Sequence, residues 1–471
     1  MTPTVSPRKS LLWLVAVGFF MQTLDGTIIN TALPAMAASL GASPLRMQSV
    51  VVSYALAMAM LIPASGWIAD RFGTRRVFFS AILLFGLGSV LCALSSDLRE
   101  LVAARVLQGM GGAMLLPVGR LALLRSVPRD EFLAAMSFVA IPGLIGPLLG
   151  PTLGGWLVEY ASWHWIFLIN VPVGLVGCIA TLRVMPDLRA EVQRFDGFGY
   201  ALLAFGMVAV SLAIDGVSSL GLHGVGVVVL MVFGFAAVTT YWLHAARRQY
   251  PLFEPSLFGI PTLRIGLLGN LFSRLGSGCM PFLVPLLLQV SMNYSPLRSG
   301  LMMLPIALAG MAMKRATTPL ILRFGYRQVL VVNTALVGLT MATFAFASPG
   351  QPVGLQILQL IVFGAVNSLQ FTAMNTITLK DLGGSMASSG NTLLSMVQML
   401  AMSMGVAAAS AVLAAYNDVF GSSAPLEILH AFEATFASMG LITLASALIF
   451  WQLPGEERAV RPAQPEVSGQ G

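Results

Sequence analysis

The sequence predicts an all-α protein that lies in a membrane and crosses it fourteen times. Three observations carry that prediction. Of 471 residues, 57% are hydrophobic and only 10% charged, against about 25% charged in soluble domains, and the mean hydropathy is +0.84. The apolar residues gather into stretches close to the roughly 20 residues that one bilayer crossing needs. The basic residues fall almost wholly on alternate connections. These figures exclude a soluble enzyme, a disordered chain and a disulfide-stapled secreted domain. Cys92, Cys178 and Cys279 all sit in apolar runs and read as small packing residues, not as a redox pair or metal ligands.

The predicted spans, numbered 1 to 14, are 11–33, 48–69, 77–95, 101–124, 133–157, 165–185, 198–219, 224–244, 262–290, 297–319, 328–348, 353–379, 388–415 and 431–451. Glycine and proline inside them do not argue against helices, because neighbouring membrane helices re-satisfy the backbone. Span 1 is not a cleavable leader: it outruns a leader's apolar core and carries Asp25 and Asn30. The longest polar intervals, 183–197, 245–261 and 416–430, are too short for a soluble domain, so any activity resides among the helices. The expected organisation is a six-helix bundle over 1–196, an inserted helix pair over 197–250 and a second six-helix bundle over 251–453. The tail 454–471, rich in Pro, Glu, Gln and Gly, is expected to be disordered.

Orientation follows from the 26 lysines and arginines. With the N-terminus in the cytoplasm, only Arg46, Arg99 and Arg298 fall outside, while Arg105 and Arg274 lie within the hydrocarbon. All others, Lys314 and Arg315 included, fall on or near the inner face. That asymmetry puts both termini inside and explains the net charge of +7 without a nucleic-acid partner.

A weak internal repeat supports two halves. Asp70-Arg71-Phe72-Gly73-Thr74-Arg75 follows span 2, and Leu322-Arg323-Phe324-Gly325-Tyr326-Arg327 follows span 10. Ionisable groups at membrane depth are costly and are functional candidates by default. Asp25 is the one acid well inside a span; Asp215 lies near the outer end of span 7. At about 1.5 Å per residue, Asp25 and Arg105 reach similar depth in the outer half and are within reach of pairing, either structurally or as part of turnover. Arg274 sits near the midplane and is the sharper functional candidate. Helical periodicity places Gln22 beside Asp25, Gln108 beside Arg105, and Asn270 and Ser277 beside Arg274. Span 12 presents Asn367, Gln370, Phe371 and Met374 on one side. Glycine stripes alone would only pack helices; stripes that contain arginine point to a polar cavity.

Five segments then resemble one family. Leu24-Asp25-Gly26-Thr27-Ile28-Ile29-Asn30-Thr31-Ala32-Leu33-Pro34 resembles the first-helix signature of the fourteen-helix drug:proton antiporters of the major facilitator superfamily. The segment from Gly66 through Asp70, Arg71, Gly73, Arg75 and Arg76 resembles the superfamily's loop between helices 2 and 3. Arg105-Val106-Leu107-Gln108-Gly109-Met110-Gly111-Gly112 is similar to its fourth-helix motif. Gly146 with Gly150-Pro151-Thr152-Leu153-Gly154-Gly155 is similar to the antiporter motif of helix 5, and Trp163 to Gly174 to the start of helix 6. The resemblance covers nearly the whole chain. It implies the major facilitator fold, with spans 1, 4, 9 and 12 lining a central cavity.

What the resemblance implies of function is an exporter in the bacterial inner membrane that trades a small molecule for protons. No bound cofactor is expected, the proton gradient being the energy source. The expected partners are a small-molecule substrate, protons and the bilayer, with no nucleic acid, and the chain is expected to act as a monomer. Asp25 is the expected proton carrier, competing with Arg105 and the cargo. Asp70, the arginines after it and the glycines around Pro151 are the expected gating elements, the glycines letting span 5 approach a helix of the other half closely. The family favours hydrophobic drugs. The count of one acid against two arginines in the expected cavity favours an anionic metabolite or a metal–carboxylate chelate. A membrane sensor that kept the fold but lost transport is the alternative of another class. No GxxxxGK[ST] loop, HExxH or GxSxG occurs, which argues against a nucleotide-driven pump or an intramembrane hydrolase.

Overall fold

The computed structural model describes residues 7–190, 194–219, 224–421 and 424–454. The expected tail therefore lies almost wholly outside the described residues. Among those described, thirteen helical segments are long and apolar enough to cross a membrane. We label them α1 (Lys9–Thr31), α2 (Pro44–Phe72), α3 (Thr74–Leu94), α4 (Leu98–Ser126), α5 (Ala134–Tyr160), α6 (Trp165–Val184), α7 (Gly197–Gly216), α8 (Val225–Ala245) and α9 (Pro261–Val290). The next segment, Pro296–Phe346, has 51 residues and breaks at Gly325, where φ is 77° and ψ 159°. Its arms, 296–324 and 326–346, are α10 and α11. Val353–Leu379, Met386–Phe420 and Pro425–Trp451 are α12, α13 and α14. The fourteen crossings are thus present, two of them fused by a kink that the helix content alone would hide.

Gly325 and Gly73, where φ is 95°, occupy the same place in the Arg-Phe-Gly repeat. Both take a backbone conformation that favours glycine, so the chain reverses there without a Cβ penalty. An even number of crossings puts the start of α1 and the end of α14 on one face, here the basic face. The opposite face is the far face.

The chain forms two six-helix bundles, α1–α6 and α9–α14, with α7 and α8 set beside the seam. One apolar cluster joins Leu56 and Ala59 of α2, Leu203 and Met207 of α7, and Leu393 and Leu394 of α13. Ser211 of α7 lies 3.2 Å from Ser403 of α13, and Gln48 of α2 donates to Asp215 of α7 at 3.3 Å.

The two faces are packed differently. At the far face one continuous core runs from Ile29, Leu33, Met47 and Phe167 of the first bundle to Phe282, Leu287, Met303 and Phe436 of the second. Hydrogen bonds cross the seam there, among them Gln289 to Thr31 O at 2.9 Å, Leu297 N to Glu159 at 3.0 Å, Thr152 to Gly300 O at 3.3 Å and Ser410 to Leu45 O at 3.1 Å. Toward the basic face each bundle has a core of its own, one holding Val15, Phe78 and Val118 and the other Ile265, Leu330 and Ile377. The halves share one core at the far face; toward the basic face each keeps a core of its own, and they are joined on one flank through α2, α7, α9 and α13.

Candidate functional site

The charged residues of the first bundle form a closed network. Asp97 accepts the Glu100 N–H at 2.8 Å and caps α4, fixing the start of the helix that carries Arg105. Arg105 Nη1 donates to Asp25 Oδ2 at 2.7 Å and to Gln108 Oε1 at 2.6 Å. Gln108 Nε2 donates to Asp25 Oδ1 at 2.7 Å and to Ser89 Oγ at 2.8 Å. Asn170 of α6 donates to the same Asp25 oxygen at 2.9 Å. Arg105 Nε reaches Val50 O at 3.3 Å, and its guanidinium lies 4.1 Å from the centre of the Tyr54 ring. Asp25 and Arg105 are each 1% exposed. A buried ion pair is tolerable only when its remaining donors and acceptors are satisfied, and here Gln108, Asn170 and the Val50 carbonyl do that, with the Tyr54 ring against the guanidinium. Sequence reasoning brings Asp25, Arg105 and Gln108 together but misses Ser89, Tyr54 and Asn170; of these only Asn170 lies inside a motif segment.

The second bundle holds its cations differently. α9 breaks just after Arg274, whose carbonyl accepts the Gly278 N–H at 2.7 Å. Arg274 Nε donates to Asn270 Oδ1 at 3.4 Å, and its guanidinium lies 4.5 Å from the centre of the Phe371 ring. Among the described residues no carboxylate pairs with it. It faces a cavity of about 220 Å³ between α5, α9, α10 and α12, walled also by Ser277, Lys314, Asn367, Phe371 and Met374. Met311, Met374 and Phe371 give the wall a soft, adaptable apolar surface.

Three corrections follow. The expected cavity set divides. Arg274, Ser277, Asn367, Phe371 and Met374 line the 220 Å³ chamber, whereas Gln22, Asp25, Arg105, Gln108, Asn270 and Gln370 do not. Asn270 turns its amide to Gly266 O at 2.9 Å, and Gln370 is bound between Asn333 at 2.9 Å and Thr334 at 2.6 Å. Side chains that satisfy one another inside a bundle have nothing left to offer the chamber. Second, Lys314 is not at an inner helix end. α10 continues to its kink at Gly325, so Lys314 lies roughly 15 Å short of the basic end of the helix and about 27 Å from its far end. The length of α10, not its hydropathy, is the signal that would have found it. Third, the glycines of α5 mostly face their own bundle. A Cβ at Gly146, Gly150 or Gly154 would run into Thr23, Thr27 or Ile28 of α1. Only Gly155 meets the other half, where a Cβ would clash with Pro296 O, and Gly300 mirrors it against Pro151 O.

The turn between α2 and α3 is tied within the first bundle. Asp70 pairs with Arg125 at the end of α4 at 2.7 Å. Arg75 donates to Met185 O at 2.5 Å, Thr74 Oγ1 to Pro186 O at 2.6 Å, and Ala190 N to Asp70 O at 3.3 Å. Arg71 lies 5.3 Å from the Trp67 ring, Arg76 is exposed, and a Cβ at Gly66 would meet nothing.

The matching turn of the second bundle has Leu322 in place of Asp70. There Lys380 and Arg327 lie over aromatic rings, Tyr326 at 5.2 Å and Trp451 at 5.3 Å. At the basic end of the inserted pair, His244 Nε2 sits 2.8 Å from Asp196 Oδ1. Burial alone would raise the Asp196 carboxyl, but hydrogen bonds from His244 and the Gly199 N–H outweigh it and hold the group below the ordinary carboxylate range.

Comparison with known proteins agrees with this architecture. The model of the Major Facilitator Superfamily matches residues 15–406. A relative from Pectobacterium carotovorum subsp. carotovorum (strain PC1), called "Putative multidrug resistance protein MdtD", is 51% identical over 94% of this chain and 96% of its own. Its namesake from Serratia proteamaculans (strain 568) is 51% identical over 97% of this chain and 95% of its own. Among solved structures, a POT family transporter in complex with 5-aminolevulinic acid superposes with a TM-score of 0.67 at 15% identity, covering 93% of this chain and 94% of that one. A D-xylose-proton symporter gives 0.66 at 15% identity, covering 94% and 97%. At that identity the structures speak for the fold alone. The extent of the family match and the half-identical relatives establish that this chain is a multi-pass membrane transporter belonging to the Major Facilitator Superfamily.

Proposed function

We propose that this chain is a proton-coupled exporter of drug-like small molecules in the bacterial inner membrane, monomeric and with both termini in the cytoplasm. The observation that carries this reading is the chamber between the bundles, combined with a shared core and hydrogen bonds across the seam at the far face, whereas toward the basic face each bundle keeps its own core and the halves are joined on one flank through α2, α7, α9 and α13. That arrangement is one end state of an alternating-access cycle. The excess of lysine and arginine on the face of the termini makes that face cytoplasmic, so the state presents the chamber to the inside. Rocking of α1–α6 against α9–α14 would break the far-face hydrogen bonds and expose the same chamber to the outside. The names of the relatives support drug export over export of anionic metabolites. Intact motifs and a formed chamber speak against a sensor without transport.

The test is flux in proteoliposomes holding the protein inside-out, with an acid lumen and the voltage clamped. Three probes are used: ethidium, chloramphenicol and citrate. Gradient-driven uptake of ethidium or chloramphenicol, abolished when nigericin dissipates the gradient, is the expected result. Uptake of citrate alone would reassign the cargo to anions. No gradient-driven uptake of any probe would refute proton-coupled export.

A further inference from the structure

We propose that Lys314, and not Asp25, is the group that exchanges the proton during transport. This rests on the proton-coupled reading above. Coupling by direct competition between proton and cargo needs a group that touches the cargo chamber and can change its protonation. Asp25 fails the first requirement: it is 1% exposed, outside the chamber, and already holds hydrogen bonds from Arg105, Gln108 and Asn170. The walls of the chamber can be surveyed element by element. α5 contributes Leu144, Pro147 and Leu148, none of them titratable. α12 contributes Gly364, Asn367, Ser368, Phe371 and Met374, again none. α9 contributes Ser277 and Arg274, and α10 contributes Lys314 beside apolar residues and Gly310; Arg315, the next residue of α10, is exposed and outside this lining. Among the described residues the chamber therefore holds two cations and no acid. A guanidinium keeps its proton in proteins, whereas a lysine amine readily gives it up when dehydrated or set beside another cation. Lys314 is left as the single lining group, among the described residues, able to change its charge.

The chamber supplies the switch. Lys314 lines the chamber beside Arg274, Ser277 and Asn367, and water filling the empty chamber solvates its ammonium. Cargo that stacks on Phe371 and fills the space removes that water next to the permanent charge of Arg274. The ammonium then releases its proton to the cytoplasm and binds the cargo as a neutral amine. After the bundles rock, a proton from outside returns to the amine, the ammonium is hydrated again, and the cargo leaves. One cargo has moved out and one proton in, with charge and protons balanced at each half-step.

The experiment measures the steady-state accumulation of chloramphenicol, an uncharged probe, in the inside-out proteoliposomes with voltage clamped. Exchange of labelled for unlabelled chloramphenicol without a gradient is measured alongside. For one proton per cargo, a one-unit pH gradient sustains about tenfold accumulation in the wild type. Lys314→Arg keeps the charge but cannot release the proton, and Lys314→Met has no proton to give. Both are expected to bring the accumulation ratio to about one while exchange persists at an altered rate. Tenfold accumulation in Lys314→Arg would overturn the assignment. So would loss of exchange in both variants, which would make Lys314 a cargo ligand only. A wild type that exchanges but never accumulates would instead refute the proton-coupled reading itself.

Discussion

In the first bundle α4 carries Arg105 onto Asp25, and Gln108 onto Ser89 of α3. In the second, α12 carries Gln370 onto Asn333 and Thr334 of α11, and Arg274 finds no carboxylate among the described residues. The two bundles repeat one architecture but place their charges oppositely: one neutralises them inside the bundle, the other turns them to the chamber. The turns at the basic face show the same contrast. Asp70 makes an ion pair with Arg125 in the first bundle, whereas Lys380 lies over the Tyr326 ring in the second. A neutralised pair lends a bundle internal order, while a cation facing a cavity is available to whatever enters it. The first bundle pairs its buried charges internally, and the second turns Arg274 and Lys314 to the chamber.

That contrast can be broken at its strongest point first. Replacing Arg105 by Met leaves the Asp25 charge buried without its partner, which is expected to cost about 3–5 kcal/mol. Thermal unfolding in detergent checks it, and the double replacement of Asp25 by Asn and Arg105 by Met should recover most of the loss. Arg274→Met should show no comparable destabilisation, because no buried counter-charge is orphaned. Next, Gly155→Val places side-chain atoms against Pro296 O at the sealed seam. Overpacking of this kind costs about 1–3 kcal/mol, here charged to the far-face-closed state. Spin-label distances across the far ends of α5 and α10 should lengthen in the variant.

A smaller effect is expected at Asp70→Asn. Both partners of its ion pair are partly exposed, 26% for Asp70 and 28% for Arg125, so about 0.2–1 kcal/mol is at stake. Unfolding of the wild type and variant at low and high salt would read it, the difference shrinking with salt. The Asp196–His244 contact gives a pH signature instead. Its carboxyl is lowered on folding, so its contribution is complete above the ordinary carboxylate range, near 3.9, and is lost as pH falls through the lowered value. His244→Ala should weaken that acid-side dependence in proteolysis of the inserted helix pair, the Gly199 N–H bond to Asp196 remaining.

Much of this architecture is legible in the sequence. Span number and the Asp25–Arg105 pairing follow from hydropathy and helical rise, because each depends on local sequence. The Arg-Phe-Gly repeat marks Gly73 and Gly325 as equivalent turns, and their backbones agree. What is not legible depends on how helices rotate about their axes. Asn270 and Gln370 share helical faces with Arg274 and Phe371, yet neighbours within their own bundle draw them inward. The α5 glycines spell close packing, but the expected partner is a helix of the other half, whereas Gly146, Gly150 and Gly154 meet α1. Lys314 reads as one more inner-face cation because the apolar stretch around it ends before the helix does.

The most direct test of the contrast between the bundles is thiol access from the cytoplasmic side. In a background with Cys92, Cys178 and Cys279 replaced by alanine, Asn367→Cys and Ser89→Cys would each be exposed to an anionic and a cationic methanethiosulfonate reagent. Asn367→Cys is predicted to react, about tenfold faster with the anion, as a chamber holding two cations and no acid requires, while Ser89→Cys reacts with neither. Equal labelling of the two sites, or faster reaction of Asn367→Cys with the cationic reagent, would contradict it.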